Sequence, residues 1–480
     1  MKNKLLICFI VFCLLINFSS FNKLQDWGDD FAGYVIQAKA VASGSYVALQ
    51  DHLEKTDYIL NYPWGFPILI SPVISFFDSN IIVLKYFIYV FFILGLVFAF
   101  LLFKDEEQTA LLVTAMMASS PYFWEFKNYL LADFPNLCFV LLGLYLIKST
   151  LSGKYIFNSY FSWFLTGLVI FISYMMRNQS IVLLPTLLAA QLITFQKSFF
   201  NVKRLAVLLI PFVTFFVFLY LSKALIPVKP VSYLNQYAHL DLQKTILNNL
   251  EYYLKIWREL FSTTQVINKY TAVFTWVLIA FAVVGLFTSA KKNSLYVVFF
   301  CLSIGIVLVS PFYQGVRYLI PLVPFFFYFF IKGFGYLIFL INIPLFVKNI
   351  SYSLVLGGFL FLSVKTIFSY SLSAMHTEQE WEGPYKKTSV EMFDFIARHT
   401  RKTDLIGFWK PRAMLLYSGR NSIVPFSYQD CVRRKADYYV YYPKGYDQLA
   451  ESEMNTHSEY FEQIFGNSDF VIFKLKVQGS

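Results

Sequence analysis

Apolar runs long enough to cross a bilayer recur along this 480-residue chain. A hydrocarbon core of about 30 Å takes roughly 20 apolar residues as a helix. Apolar runs, several of them shorter than this, fall near 4–21, 81–103, 108–121, 129–147, 160–176, 178–195, 205–226, 270–289, 295–311, 317–331 and 350–371. With 57% hydrophobic and only 14% charged residues, the chain has too little polar surface for a soluble domain of this size. It reads as an α-helical polytopic membrane protein with about 11 transmembrane helices.

Charge sets the expected topology. Residues 1–375 hold 26 basic and 15 acidic side chains, whereas residues 376–480 hold 14 of each. The net charge of +11 therefore belongs to the membrane part and is no nucleic-acid signal. Lys2 and Lys4, Lys104, Lys148 and Lys154, Lys197, Lys203 and Arg204, and Lys291 and Lys292 fall on alternate loops. Those loops face the cytoplasm under the positive-inside bias, which puts loops 22–80 and 227–269 outside. Residues 1–21 read as an uncleaved first helix, because no A-x-A cleavage site follows. Segment 333–348 contains Gly333, Gly335 and Pro344 and is expected as a surface helix between Lys332 and Lys348. The tail then lies outside. The five cysteines show no metal or disulfide spacing.

Two units follow: a membrane domain over 1–375 and a soluble α/β domain over 376–480. In the second, "SVEMFDFIARHT" and "KPRAMLLYSG" have helical spacing, and "DLIGFW", "DYYVYYP" and "DFVIFKL" read as strands.

The candidate chemistry gathers in outer loops. Phe31, Tyr34, Val35, Ala38, Val41 and Ala42 repeat at helical spacing and Gly44 is a natural stop, so a surface helix is expected over about 31–43. Its start falls at Asp29-Asp30. One Asp suits an N-cap and the helix dipole; a second of like charge is not needed for either. "NYPWGFP" (61–67) reads as a tight turn toward the second span. Glu125, Lys127 and Asp133 lie in the next outer turn, where Asp133 also suits the start of a helix with Pro135 in its first turn. Arg177 and Arg317 stand at the outer level against the positive-inside bias. They can snorkel to headgroups or grip a phosphate with paired donors, with Lys127 assisting.

These pieces occur in an order that resembles membrane glycosyltransferases of the GT-C fold. The resemblance is to the bacterial relatives of protein O-mannosyltransferases and of the lipid A aminoarabinose transferase, in glycosyltransferase family 39. An acidic pair of the form D-[DE]-x-x-x-Y-x-x-x-A matches Asp29, Asp30, Tyr34 and Ala38. A Y-P-P-G-x-P turn matches Tyr62 to Pro67, with Trp64 in place of the second proline. An [SA]-[DE]-x-P element matches Ala132, Asp133 and Pro135, and R-Y-L-x-P-x-x-P matches Arg317, Tyr318, Pro321 and Pro324. Asp30 stands where Glu is frequent, and the Lys-Pro-Pro form of aminoarabinose transferases is absent, which argues against that substrate pair.

The resemblance implies sugar transfer from a polyprenyl-phosphate donor to a glycan, lipid or protein acceptor, by inverting displacement. It places the active site and the C-terminal domain on the extracytoplasmic side of the cytoplasmic membrane. It implies Asp29 as base or acceptor orienter, Asp30 as its partner and Asp133 as a positioner of acceptor or metal. Arg317, Arg177 and Lys127 would bind the donor phosphate, and Tyr34, Tyr62, Trp64 and Tyr318 would line the cavity. Carboxylates and phosphate are hard oxygen ligands, so a divalent metal and a metal-free reaction both stay open.

A lipid-linked glycan flippase would show internal repeats or charges at mid-membrane. Here the candidate charges gather at one face. A polysaccharide polymerase or ligase would place key arginines in a large later loop. Loop 227–269 carries His239 and Arg258 without an arginine cluster.

Overall fold

The computed structural model describes residues 2–476, apart from 23, 47, 48, 50–61, 155–157, 227–239, 258–268, 312, 342, 343, 377–381 and 447. The side chains of 2, 29, 269–274, 352, 370 and 372–376 are also outside the description. His239 and Arg258 thus lie outside the described residues.

Each of the eleven expected spans is a helix. In chain order, the first helices are α1 (Lys2–Ser19), α2 (Asp29–Ser43), α3 (Gly65–Phe77), α4 (Ile81–Phe103), α5 (Glu107–Ala118) and α6 (Pro121–Phe126). Next come α7 (Asp133–Leu151), α8 (Ser159–Met176), α9 (Leu183–Phe195), α10 (Val202–Leu225) and α11 (Leu242–Ile256). The membrane part closes with α12 (Lys269–Ser289), α13 (Ser294–Val309), α14 (Val323–Leu340) and α15 (Leu345–His376). Among the described residues, seven stretches are long and apolar enough to cross a membrane, one of which joins α4 and α5. Parts of α1, α3, α12 and α13 are shorter apolar helices. The α3 helix was not expected; the run after the Tyr62 turn continues as a helix rather than as loop.

Segment 333–348 is a correction. It is not a separate surface helix: its first half completes α14 and its end begins α15. One of the glycines that argued against a span, Gly333, is a packing device. A Cβ on Gly333 would lie 1.8 Å from the Phe281 carbonyl oxygen, and one on Gly285 would lie 1.8 Å from that of Phe329. Small residues let two membrane helices touch backbone to backbone, as α12 and α14 do here. Gly333→Ala is therefore expected to destabilise by about 1–3 kcal/mol, as overpacking does. Gly305→Ala on α13, where no atom lies within 4 Å of the added methyl, is the neutral control. Unfolding midpoints in dodecyl sulfate micelles should separate the two; equal midpoints would remove the packing role.

Two clusters of charge mark opposite ends of the bundle. Lys148 pairs with Asp105 at 2.8 Å, and Glu106 pairs with Lys292 at 3.1 Å and Lys332 at 2.8 Å. Asp133, at the start of α7, lies 15 residues before Lys148, about 22 Å along the helix at 1.5 Å per residue. Arg177 follows α8 and meets Asp133, so it shares that end.

The soluble unit is a five-stranded sheet with helices. Its strands are β1 (Ile406–Gly407), β2 (Ser422–Ile423), β3 (Tyr438–Tyr441), β4 (Phe461–Gly466) and β5 (Val471–Leu475), in the order β2-β1-β3-β5-β4. Strand β1 is parallel to β2 and β3, and β5 is antiparallel to β3 and β4. Helices α16 (Lys387–His399), α17 (Pro411–Ser418), α18 (Tyr428–Arg434) and α19 (Glu451–Thr456) complete it. One end of the sheet, with α16, seats on the loop before α2. Trp27 is buried there with its ring 5.8–6.2 Å from those of Phe393, Phe408, Trp409, Tyr442 and Phe470. An aromatic side chain so enclosed buries well over 100 Å² of apolar surface, so this contact is the anchor of the soluble unit.

Candidate active site

The loop before α2 is held from below. Buried Lys85 of α4 donates to the carbonyls of Asn22, at 3.0 Å, and Leu24, at 2.5 Å. Lys127 donates to the Ser20 carbonyl at 2.5 Å. Asp26 then turns the chain: its Oδ1 accepts from the Gly28 N–H at 3.1 Å and from Gln25 at 2.8 Å. Burial pushes the Asp26 carboxyl up, against these hydrogen bonds and the nearby lysines. Such an Asx turn sets the entry of a helix.

Helix α2 begins at Asp29 with Gly28 as N-cap, and no side chain caps it. Neither acidic residue is therefore the cap, which corrects the capping reading. Both still lie in the first turn, where the dipole favours negative charge. The Asp29 side chain lies outside the described residues. Gly44 closes the helix in the left-handed conformation, as expected.

Asp30 is the first member of a charged cluster. Its Oδ2 accepts from Arg317 at 2.6 Å and its Oδ1 accepts from the Tyr62 hydroxyl at 2.5 Å. Arg317 lies in a 3₁₀ segment, Gly315–Leu322, and its Nε reaches Asp133 Oδ2 at 3.4 Å. The other oxygen of Asp133 accepts from Arg177 at 2.7 Å. Asp133 is buried in the first turn of α7, so its charge is sustained by the two guanidiniums. Ser180 ties down the next turn by donating to Asn136 at 2.6 Å. Arg317 thus bridges the two carboxylates that sequence placed in separate loops.

The aromatic residues frame this cluster. Tyr34 is buried between Tyr62 and Phe66, with ring centroids 4.4 and 4.7 Å away. The Arg177 guanidinium sits 5.5 Å from the Tyr318 ring, and Tyr318 borders a small pocket with Gln179, Ser180 and Ser303. The turn carrying Tyr62 is pressed onto the end of α8, because a Cβ on Gly65 would lie 2.5 Å from the Met175 carbonyl. Trp64 instead turns to Tyr46, at 5.7 Å.

Lys127 is not brought to the arginines. Its ammonium lies 4.6 Å from the Phe21 ring and 4.9 Å from the Trp124 ring and holds the loop instead. The short helix α6 aims its end at residues 20–22, a direction that residue spacing does not encode.

One cluster residue was not foreseen. Arg412, on α17 of the soluble unit, donates to the Tyr62 hydroxyl and lies 3.7 Å from Asp30 Oδ1. It is 350 positions from Tyr62, and an arginine in a soluble helix carries no local signal.

Burial pushes the Asp30 carboxyl up, but Arg317, the Tyr62 hydroxyl and Arg412 outweigh it and hold it at about 2, below the ordinary 3.8. A depressed pKa contributes stability that is present above the unfolded value and lost as pH falls through the folded one. The difference in unfolding midpoint between wild type and Asp30→Asn should therefore hold from pH 7 to about 4 and shrink only below that. A difference that shrinks between pH 7 and 5 would show a weaker cation field. With both oxygens engaged, Asp30 is a locked anion rather than a proton acceptor. Among the described residues no three His, Cys, Asp or Glu side chains gather to hold a metal, and the cations at Asp30 and Asp133 are guanidiniums.

Helical bundle and packed C-terminal sheet together have the GT-C membrane glycosyltransferase fold. Solved structures that share it include those of two proteins. The ArnT of Cupriavidus metallidurans in its apo state aligns over 98% of this chain and 98% of its own, with TM-score 0.56 and 10% identity. Its structure bound to undecaprenyl phosphate aligns over the same shares with TM-score 0.58 and 10% identity. The oligosaccharyltransferase AglB of Archaeoglobus fulgidus, in complex with an inhibitory peptide and a dolichol-phosphate, aligns over 99% of this chain and 74% of its own. Its TM-score is 0.55 at 10% identity. No protein-family model matches the chain, and no curated protein does at the level of sequence.

Proposed function

We propose that this protein transfers a sugar from a polyprenyl-phosphate-linked donor to a glycan, lipid or protein acceptor at the outer face of the cytoplasmic membrane. The observation that carries the reading is Arg317, which bridges Asp30 and Asp133 beside Arg177 at one end of the bundle. Guanidiniums held at fixed positions by a buried Asp133 and a partly buried Asp30 suit a phosphate whose charge grows as it leaves. The two neighbours bind undecaprenyl phosphate and dolichol-phosphate, which supports the same donor chemistry here.

The reaction balances with few parts. An acceptor oxygen attacks the anomeric carbon and its proton passes to Asp29. The bond from that carbon to the phosphate oxygen breaks, and the polyprenyl phosphate departs with the electron pair. One displacement inverts the anomeric centre. Asp29 takes the base role because Asp30 and Asp133 are both committed to arginines. Arg317 and Arg177 stabilise the departing phosphate, and Tyr34, Tyr62 and Tyr318 hold the cluster's walls.

Radiolabelled polyprenyl-phosphate sugars supplied to the purified protein test this. Label should reach an acceptor with wild type and fall sharply with Asp29→Asn. Full transfer by Asp29→Asn would remove its role, and no transfer by wild type from any such donor would sink the reading.

A further inference from the structure

We propose that Asn249 and Tyr252, on α11, are positioning residues that set the aim of Arg317 at the departing phosphate. The inference rests on the leaving-group role of Arg317 proposed above.

Arg317 has to be placed by its backbone before its side chain can bridge two carboxylates. The connector from α13 to its 3₁₀ segment starts poorly anchored. A helix end leaves carbonyls without intrahelical partners, and Pro311, just past the end of α13, has no N–H to offer them. The chain then turns at Gly315, whose φ of +56° is left-handed, and enters the segment that carries Arg317.

Helix α11 fixes this connector at both ends. Asn249 is buried, and its Nδ2 donates to the carbonyls of Leu308 and Ser310, each at 2.8 Å, with that of Val307 at 3.4 Å. An amide nitrogen has two hydrogens, so those of Asn249 are spent on the end of α13. Tyr252 lies three residues on and so shares the Asn249 side of the helix. Its hydroxyl accepts from the Gly315 N–H at 3.1 Å, two residues before Arg317, and its ring lies 4.6 Å from that of Tyr313. Asn249 thus sets where the connector leaves α13, and Tyr252 sets where it turns toward the carboxylates.

The helix is a firm reference for this. Tyr253 is buried, and Trp257, at the end of α11, is buried with its ring 4.7 Å from that of Phe326 on α14. Because α14 continues directly from the Arg317 segment, α11 grips that segment from both sides. Both proposed residues hold backbone atoms, so they act through Arg317. Misplacement of an aimed group by about 1 Å can cost on the order of 10²-fold in rate.

Transfer of radiolabelled sugar from polyprenyl-phosphate donors by full-length protein in lipid nanodiscs tests the proposal, with kcat and KM taken separately. Tyr252→Phe removes the acceptor and keeps the ring. Its kcat should fall about fivefold to tenfold, the worth of one hydrogen bond, with the donor KM within about twofold of wild type. In an Arg317→Gln background the same change should lower kcat by less than about twofold, because the group it aims is gone. Asn249→Leu should show the same dependence on Arg317 and carries the test if the phenylalanine variant misfolds. A wild-type kcat in the folded variants, or an equal loss with and without Arg317, would overturn the proposal and leave the donor reading intact. No transfer by wild type from any such donor would overturn both.

Discussion

Arg317→Gln is expected to lower sugar transfer by about 10²–10³-fold, the usual cost of removing one aimed donor from a developing oxyanion. Among the described residues, Arg317 is the one side chain that touches both carboxylates, at 2.6 Å to Asp30 and 3.4 Å to Asp133. Its removal takes away phosphate stabilisation and also frees Asp30 from the partner that holds it. The loss should fall mainly on kcat, because charge on the leaving oxygen grows toward the transition state. Arg317→Lys should recover only part, since an ammonium cannot bridge two carboxylates as a planar fork does. Transfer rates at saturating donor, with the unfolding midpoint as a control, check this. A tenfold rise in KM at unchanged kcat would instead mark Arg317 as a ground-state binder only.

The largest stability effect is expected at Asp133. Its side chain is 1% exposed and faces Arg177, itself 11% exposed, at 2.7 Å. Removing one partner of a buried pair leaves the other charge without compensation and costs about 3–5 kcal/mol. Asp133→Asn should therefore lower the unfolding midpoint in dodecyl sulfate micelles by that order. Arg177→Gln added to it should restore part of the loss, because the stranded charge is gone. A midpoint equal to wild type for Asp133→Asn would show that water, not Arg177, sustains the carboxylate.

Features that depend on local spacing were legible in the sequence. The eleven apolar runs are helices, and α2 ends at Gly44 because a left-handed residue is needed there. Asp30, Asp133, Arg177 and Arg317 were singled out as charges at one outer level, and the structure brings them into contact. What depends on direction or on distant partners was not legible. Lys127 was expected at that same level, yet α6 turns it to the Ser20 carbonyl. Gly333 reads as a helix breaker in isolation and becomes a contact only when Phe281 of α12 is set beside it. Strand β2 is two residues long and exists through its pairing with β1. Arg412 enters through the docking of a separate unit, whose interface centres on Trp27.

The measurement closest to the central claim is the structure of the full-length protein with undecaprenyl phosphate bound. The phosphate should lie within hydrogen-bonding distance, about 3 Å, of Arg317 and beside Arg177. A phosphate seated away from both arginines, with the Arg317 bridge between Asp30 and Asp133 untouched, would contradict the assignment of this cluster as the leaving-group site.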